Sequence, residues 1–210
     1  MNDVQATAPW RYALSFTTGA LLAREADLLV PVYLGRRDWG QTREQAEQEN
    51  LLQARTQESR RRLTREAVQR LSALDDSEIE FLTVATSSER ASLMWVAACR
   101  RFEFIGEFAE EVVRERFLLL TPTLGYGEFD SFVHGKALWH EELAKLSEST
   151  LQRLRSTVFR MLRDAEILSK SGEILSAVLS ERVTAMLSAR TPSDLRFFPL
   201  PVSATVDGPR

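Results

Sequence analysis

The chain reads as all-α, a compact helical bundle, on three observations. From about Gly19 onward apolar residues recur at spacings of three and four, the period of a helix that buries one stripe. Capping residues break that pattern into segments of helical length. Strand signals are almost absent, with only Phe197-Phe198-Pro-Leu-Pro-Val offering one edge segment. A chain of 210 residues with 44% hydrophobic and 27% charged content can form a real core, as one sizeable domain or two small ones, so wholesale disorder is excluded.

Taken in order, Leu21, Leu22, Leu28 and Leu29 predict a first helix, stopped near Pro31 or continuing with a kink towards Leu34. Asp38 or Thr42 caps a second that runs through Leu51 and Leu52, and Thr56 opens a third. Asp75 and Glu78 have capping-box spacing and start a helix through Ile79, Leu82 and Val84. Ser87 is the expected cap of a helix containing Leu93, Trp95, Val96 and Cys99, and a further helix spans about Ile105 to Leu119. Pro122, Gly125, Gly127 and Gly135 punctuate a looser stretch with one short helix around Phe129 to Val133. Helices resume over about His140 to Leu146, Ser149 to Ala165 and Glu173 to Leu187. After Thr191 four prolines predict an extended or disordered tail. The expected organisation is therefore an N-terminal helical domain over 12–120, a connector over 121–139, a C-terminal helical subdomain over 140–190 and a tail over 191–210.

Several classes of function are excluded or disfavoured by what the chain lacks. Cys99, the single cysteine, allows no intrachain disulfide, fits a reducing cytoplasm and sits on an apolar helix face as an inert thiol. The longest uncharged run, Tyr12 to Ala23, has 12 residues, whereas a spanning helix needs about 20. The start, Met-Asn-Asp-Val-Gln-Ala-Thr, has no basic region ahead of an apolar core, so neither membrane nor secretory export is expected. Phosphate-loop, zinc-protease and nucleophile-elbow motifs are all missing. His134 and His140 read as solvated or capping groups and not as a metal pair, and Glu107, Glu110, Glu111 and Glu115 read as a solvated acidic face. The expectation is no catalysis, no cofactor and no metal.

The residues that point to function lie in two segments 91 positions apart. Thr56 to Leu71 and Ser147 to Leu162 are each a polar turn followed by an arginine-studded amphipathic helix. In the first, Leu63, Ala67, Leu71 and Leu74 share one stripe, and Arg61, Arg62, Arg65 and Gln69 face away. In the second, Leu151, Leu154, Val158, Leu162 and Ala165 lie inside, while Ser149, Gln152, Arg153, Ser156, Arg160 and Arg163 lie outside. The chain has 24 arginines, 3 lysines and a net charge of −3, yet six arginines against two glutamates fall between Arg55 and Arg70. Each segment follows a shorter helix, Glu44 to Leu52 and His140 to Leu146, which gives two helix-turn-helix-like units. Arginine supplies phosphate charge and bidentate base contacts, and Ser and Gln add hydrogen bonds. Solvated faces or a protein-docking surface would carry the same residues. The candidate nucleic-acid contacts are Arg55, Arg61, Arg62, Arg65, Ser149, Gln152, Arg153, Ser156, Arg160 and Arg163.

Further stretches carry a resemblance. Ser15-Phe-Thr-Thr-Gly-Ala-Leu-Leu22, Trp39, Glu49-Asn50-Leu-Leu, Arg55-Thr56-Gln-Glu-Ser59 and Arg70-Leu71, with Leu146-Ser-Glu-Ser-Thr150 and Arg163-Asp-Ala-Glu-Ile-Leu168, resemble the A-component (BrxA-like) family of bacteriophage exclusion (BREX) systems over roughly 12–187. The resemblance implies a helical monomer with a fold similar to the antitermination factor NusB. It implies duplex DNA as ligand, through two helix-turn-helix units flanking a positive surface, and other BREX components (methyltransferase, ATPase subunits) as partners. Two rival readings stay open: an adaptor whose arginine faces dock acidic protein surfaces, and an RNA-binding protein by analogy of fold alone.

Overall fold

The computed structural model describes residues 11–16 and 20–201. Helix α1 (Ala23–Arg36) follows Leu22, whose backbone is left-handed (φ 63°), and continues through Pro31 to Arg36. Asp38 caps α2 (Trp39–Gln48) by accepting from the Gln41 N–H at 2.8 Å. That helix stops short of the expected Leu52. Asn50 turns left-handed (φ 51°) and its amide bonds both the N–H and the C=O of Ala54, at 2.9 and 3.2 Å, closing a loop instead. Thr56 caps α3 (Gln57–Leu71), and Asp75 and Glu78 form the expected reciprocal box on α4 (Asp76–Phe81). Ser87 is not the cap of α5 (Ser87–Arg101); Thr86 is, because Glu89 three residues on returns a bond to the Thr86 N–H at 2.8 Å. The run that follows is α6 (Glu103–Phe108), a π-helical turn (Ala109–Arg114) and α7 (Glu115–Leu118).

Larger departures come after residue 120. The short helix expected around Phe129 to Val133 is a three-turn helix, α8 (Tyr126–Ala137), that takes up most of the expected connector, because Phe129 and Phe132 pack edge-on against Phe104 and Phe108 of α6. A single turn, α9 (Glu141–Ala144), precedes α10 (Glu148–Asp164). Of the helix expected over Glu173–Leu187 only α11 (Glu181–Ser188) forms. Upstream, Gly172 takes φ 87°, the Ile174 N–H donates to Pro122 O (2.6 Å), and isolated bridges join Leu168 to Ile174 and Thr123 to Glu173. Those backbone donors are satisfied across the chain and not up a helix. Residues 191–201 are not a tail either. A 3₁₀ turn (Asp194–Phe197) and the side chains of Leu195, Phe197, Phe198 and Leu200 are buried, while 202–210 lie outside the described residues. Phe198 to Pro201 form no strand.

Helix α5 is the axis of the core. Every residue from Ala91 to Cys99 is buried, which is the signature of a helix surrounded on all sides. Helices α1, α3, α10 and α11 and the 3₁₀ turn pack around it, and one hydrophobic core extends from Tyr12 to Leu200. The indole N–H of Trp95, fully buried, donates to Phe197 O at 3.0 Å. At the end of α5 the guanidinium of Arg100 bonds both carboxylate oxygens of Glu78 (2.6 and 2.6 Å), Asp194 (2.7 and 3.0 Å) and Ala73 O (3.1 Å). Those bonds use all of its donors. Removing it leaves the buried Glu78 without a counter-charge and Asp194 with only Arg190, 3.9 Å away. Arg100→Ala is therefore expected to lower the unfolding free energy by about 3–5 kcal/mol, measured by urea denaturation. Arg61→Ala, on the surface, should change it by less than about 0.5 kcal/mol. Equal effects of the two substitutions would refute this assignment.

Candidate nucleic-acid interface

The two arginine-rich helices form where their caps and apolar stripes direct. Thr56 accepts from the Ser59 N–H at 3.1 Å and Ser147 from the Thr150 N–H at 3.3 Å, each satisfying a donor that the first turn leaves open. On α3, Ala67 and Leu71 are buried, with Leu74 just beyond, and Leu63 is half-buried. On α10, Leu154, Val158 and Leu162 are buried, with Ala165 just beyond, and Leu151 is half-buried. All ten candidate residues are exposed: Arg55, Arg61, Arg62 and Arg65 at the first helix, and Ser149, Gln152, Arg153, Ser156, Arg160 and Arg163 on the second. Gln69, by contrast, is half-buried.

Exposure is shared with any solvated face; lack of partners sets these arginines apart from most others of the described residues. Most other arginines are held: Arg37 by Asp76 and Glu80, Arg90 by Asp27, Arg116 by Glu128, Arg196 by Glu110. None of Arg55, Arg61, Arg62, Arg65, Arg153, Arg160 or Arg163 has a carboxylate within salt-bridge distance among the described residues. Arg163 lies over the Phe159 ring at 5.9 Å; the other six have no carbonyl, amide or ring contact either, a condition that only Arg24 shares among the other described arginines. The remaining arginines of the two segments are committed internally. Arg60 donates to Glu47 O (3.0 Å), and Arg155 binds Asp130 with one nitrogen at 2.6 and 2.8 Å while its guanidinium sits 4.5 Å over the Tyr126 ring. Arg70 is fully buried, where burial pulls its guanidinium below the usual range against the opposing pull of Glu66, bonded at 2.9 Å.

Geometry brings Arg61, Arg62 and Arg65 together with Arg43 of α2, Gln57 and Glu58 around a recess of about 400 Å³. Arg43 escaped the sequence reading because its spacing to Glu47 is that of a helical salt bridge, which it does form, at 2.7 Å. Arg55 lies in the turn just ahead of that helix. On the second face Gln152 donates to Glu148 at 2.9 Å, and Ser149 shares a hydroxyl contact with Ser147 at 3.1 Å.

A single peptide group links the two helices. Arg70 near the end of α3 donates to Ala20 O at 2.7 Å, and Asp164 at the end of α10 accepts from Leu21 N–H at 3.1 Å. The carbonyl and the N–H belong to the same trans peptide, so its opposite edges are gripped by the two helix ends.

Other candidates for chemistry are occupied. Burial pushes the Cys99 thiol well up, so it holds its proton. His140 is buried against the Tyr12 ring with Glu142 3.1 Å from its Nδ1, whereas His134 is exposed. Of the acidic row, Glu107 and Glu111 share Lys136, Glu110 meets Arg196 at 3.2 Å and Glu115 meets Arg114 at 3.6 Å. Among the described residues no cluster of three or more His, Cys, Asp and Glu is placed to hold a metal, and no helix is long and apolar enough to cross a membrane.

The BrxA family profile matches residues 10–191, both arginine-rich helices included. The chain belongs to the BrxA family. Two similar proteins are each named BREX protein BrxA. One, from Escherichia coli O9:H4 (strain HS), is 25% identical over 147 residues, 70% of this chain and 69% of that one. The other, from Bacillus cereus (strain H3081.97), is 23% identical over 128 residues, 61% of this chain and 64% of that one. A crystal structure of an uncharacterised protein from Magnetospirillum magneticum shares the fold, with a TM-score of 0.76 and 20% identity over 91% of this chain and 99% of its own. The BrxA match ends at Thr191, just ahead of the 3₁₀ turn whose Asp194 binds Arg100.

Because each basic helix depends on one hydroxyl cap, Thr56→Ala and Ser147→Ala should each cost about 1 kcal/mol of stability in chemical denaturation. Their effects should add, since the caps touch no common residue. Unchanged midpoints would mean that solvent replaces both caps.

Proposed function

We propose that this BrxA-family protein is a non-catalytic DNA-binding accessory component of a BREX phage-exclusion system, acting in the cytoplasm as a monomer beside methyltransferase and ATPase subunits. The observation that carries the reading is the pairing of the arginines: those on the outer faces of α3 and α10 have no carboxylate partner, while most of those elsewhere do. An unpaired guanidinium approaches a phosphate without first breaking an ion pair, and its five donors suit a bidentate grip. The order of elements supports a helix-turn-helix reading of both units: α2, the 49–56 turn and α3; then α9, the 145–147 turn and α10. The BREX names of the two relatives supply the system.

Each phosphate contact displaces condensed counterions, so log affinity for duplex DNA should fall nearly linearly with log salt, by about 0.9 per contact. Replacing Arg61, Arg62 and Arg65 together by Ala is expected to weaken binding and flatten that slope by about 2–3, as is replacing Arg153, Arg160 and Arg163. The melting temperature should hardly change, because none of the six arginines holds another element. A folded wild type with no affinity for DNA at low salt would overturn the reading in favour of an adaptor for acidic proteins.

A further inference from the structure

Leu138 and Trp139 form the turn between α8 and α9, and each is 79% exposed. The turn is fixed by its backbone: the N–H groups of Trp139 and His140 both donate to Lys136 O at 3.0 Å. The Trp139 indole has no ring or hydrogen-bond partner among the described residues. Of the other described tryptophans, Trp95 is buried and Trp39 is stacked 3.8 Å from Tyr33. A scattered exposed leucine is ordinary, but an adjacent leucine and tryptophan held out at an ordered turn marks a contact surface.

Its position says what the surface meets. Helix α8 runs antiparallel to α10, with Asp130 on Arg155 and the Tyr126 ring edge-on to Phe159 at 4.9 Å. Leu138 lies eight residues beyond Asp130, and Ser147, the cap of α10, lies eight before Arg155. Only residues 140–146, with the single turn α9, separate Trp139 from Ser147, so the turn lies at the amino-terminal end of α10. Gln152 is about 60° around that helix from Arg155, so the exposed face of Ser149, Gln152 and Arg153 begins beside α8. The acids nearest in sequence are engaged, Glu141 by Lys145 (2.6 Å) and Glu148 by Gln152.

We infer that Leu138 and Trp139 are an apolar arm of the same nucleic-acid interface, with the Trp139 indole stacking on an unpaired or unstacked base while Ser149, Gln152 and Arg153 hold the adjoining backbone. The inference rests on the DNA-binding reading above. Every base has a π-face, so the contact tolerates any sequence, and it displaces no counterions. The ligand class is therefore DNA with an accessible base, either a single strand or a duplex interrupted by unpaired nucleotides.

The test measures binding of the full chain to three oligonucleotides: a single strand, a duplex with an internal unpaired loop, and a fully paired duplex closed by hairpins. Trp139→Ala is expected to lower affinity for the first two by on the order of 5- to 100-fold and to leave the paired duplex unchanged. Trp139→Phe should keep most of the affinity, and in neither variant should the salt slope move. Unchanged binding of Trp139→Ala to every probe would overturn the inference and leave the patch to a protein partner. An equal loss on all three probes, or a flattened slope, would overturn it as well. A wild type that binds none of the probes at low salt defeats the arginine reading itself, an outcome distinct from the failure of Trp139 alone.

Discussion

The guanidinium of Arg100 is the joint on which this fold closes. It fixes the end of the central helix to Glu78 of α4, to the carbonyl of Ala73 after α3 and to Asp194 of the last turn. Glu78 at the same time accepts from the Asp75 N–H to start α4, so one carboxylate serves a cap and an ion pair. The last turn, once held by Asp194, brings Phe197 O to the Trp95 indole and covers the most buried stretch of α5. Charge so deeply placed is stabilising only while every donor and acceptor is matched. Arg100 meets that condition, and the carboxyl-terminal segment is thereby part of the core.

The arginines divide into two populations by what they touch. Arg70, Arg100 and Arg155 are structural: each is at least partly buried, bonded to carboxylates and held near an aromatic ring or a carbonyl. The seven candidate arginines, six on the outer faces of α3 and α10 and Arg55 in the turn ahead of α3, belong to the other population, with no carboxylate in reach. A composition count merges the two and overstates the free charge of α3, where Arg60 and Arg70 face inward.

This division marks how far the sequence could be read. The apolar stripes of α3 and α10 and the caps Thr56, Asp75 and Ser147 are local signals, and they placed both basic faces correctly. Two failures are local, the Asn50 loop that ends α2 early and the Thr86 cap of α5; the larger ones are long-range. Phe129 and Phe132 hold α8 in a glycine-punctuated stretch because partners 20 to 30 residues away complete their packing. Residues 173–180 have helical spacing, but Pro122 and Pro199 take their backbone donors. Asp194 looks like part of a proline-rich tail until Arg100 is beside it. Arg43 enters the α3 recess only once the hairpin with α2 is formed, which no pattern within either helix announces.

A net charge of −3 does not oppose a polyanion of the proposed kind, because charge acts over short distances in salt. The Debye length is about 8 Å at physiological ionic strength, so a ligand at α3 senses mainly the recess where Arg43, Arg61, Arg62 and Arg65 outnumber its one acid, Glu58. The acids that make the total negative are largely engaged elsewhere, as Glu107 and Glu111 are by Lys136. On the proposed reading, two small basic faces are more than two weak sites because their relation is fixed. Both helices pack on α5, and their ends grip opposite edges of the Ala20–Leu21 peptide. Sites held rigidly on one body present the second to a long ligand as soon as the first is occupied, at a high effective concentration and with no linker to order. The buried Arg70 and the exposed Arg65, five residues apart on one helix, thus act on the same problem from opposite sides: one fixes the face and the other supplies its charge.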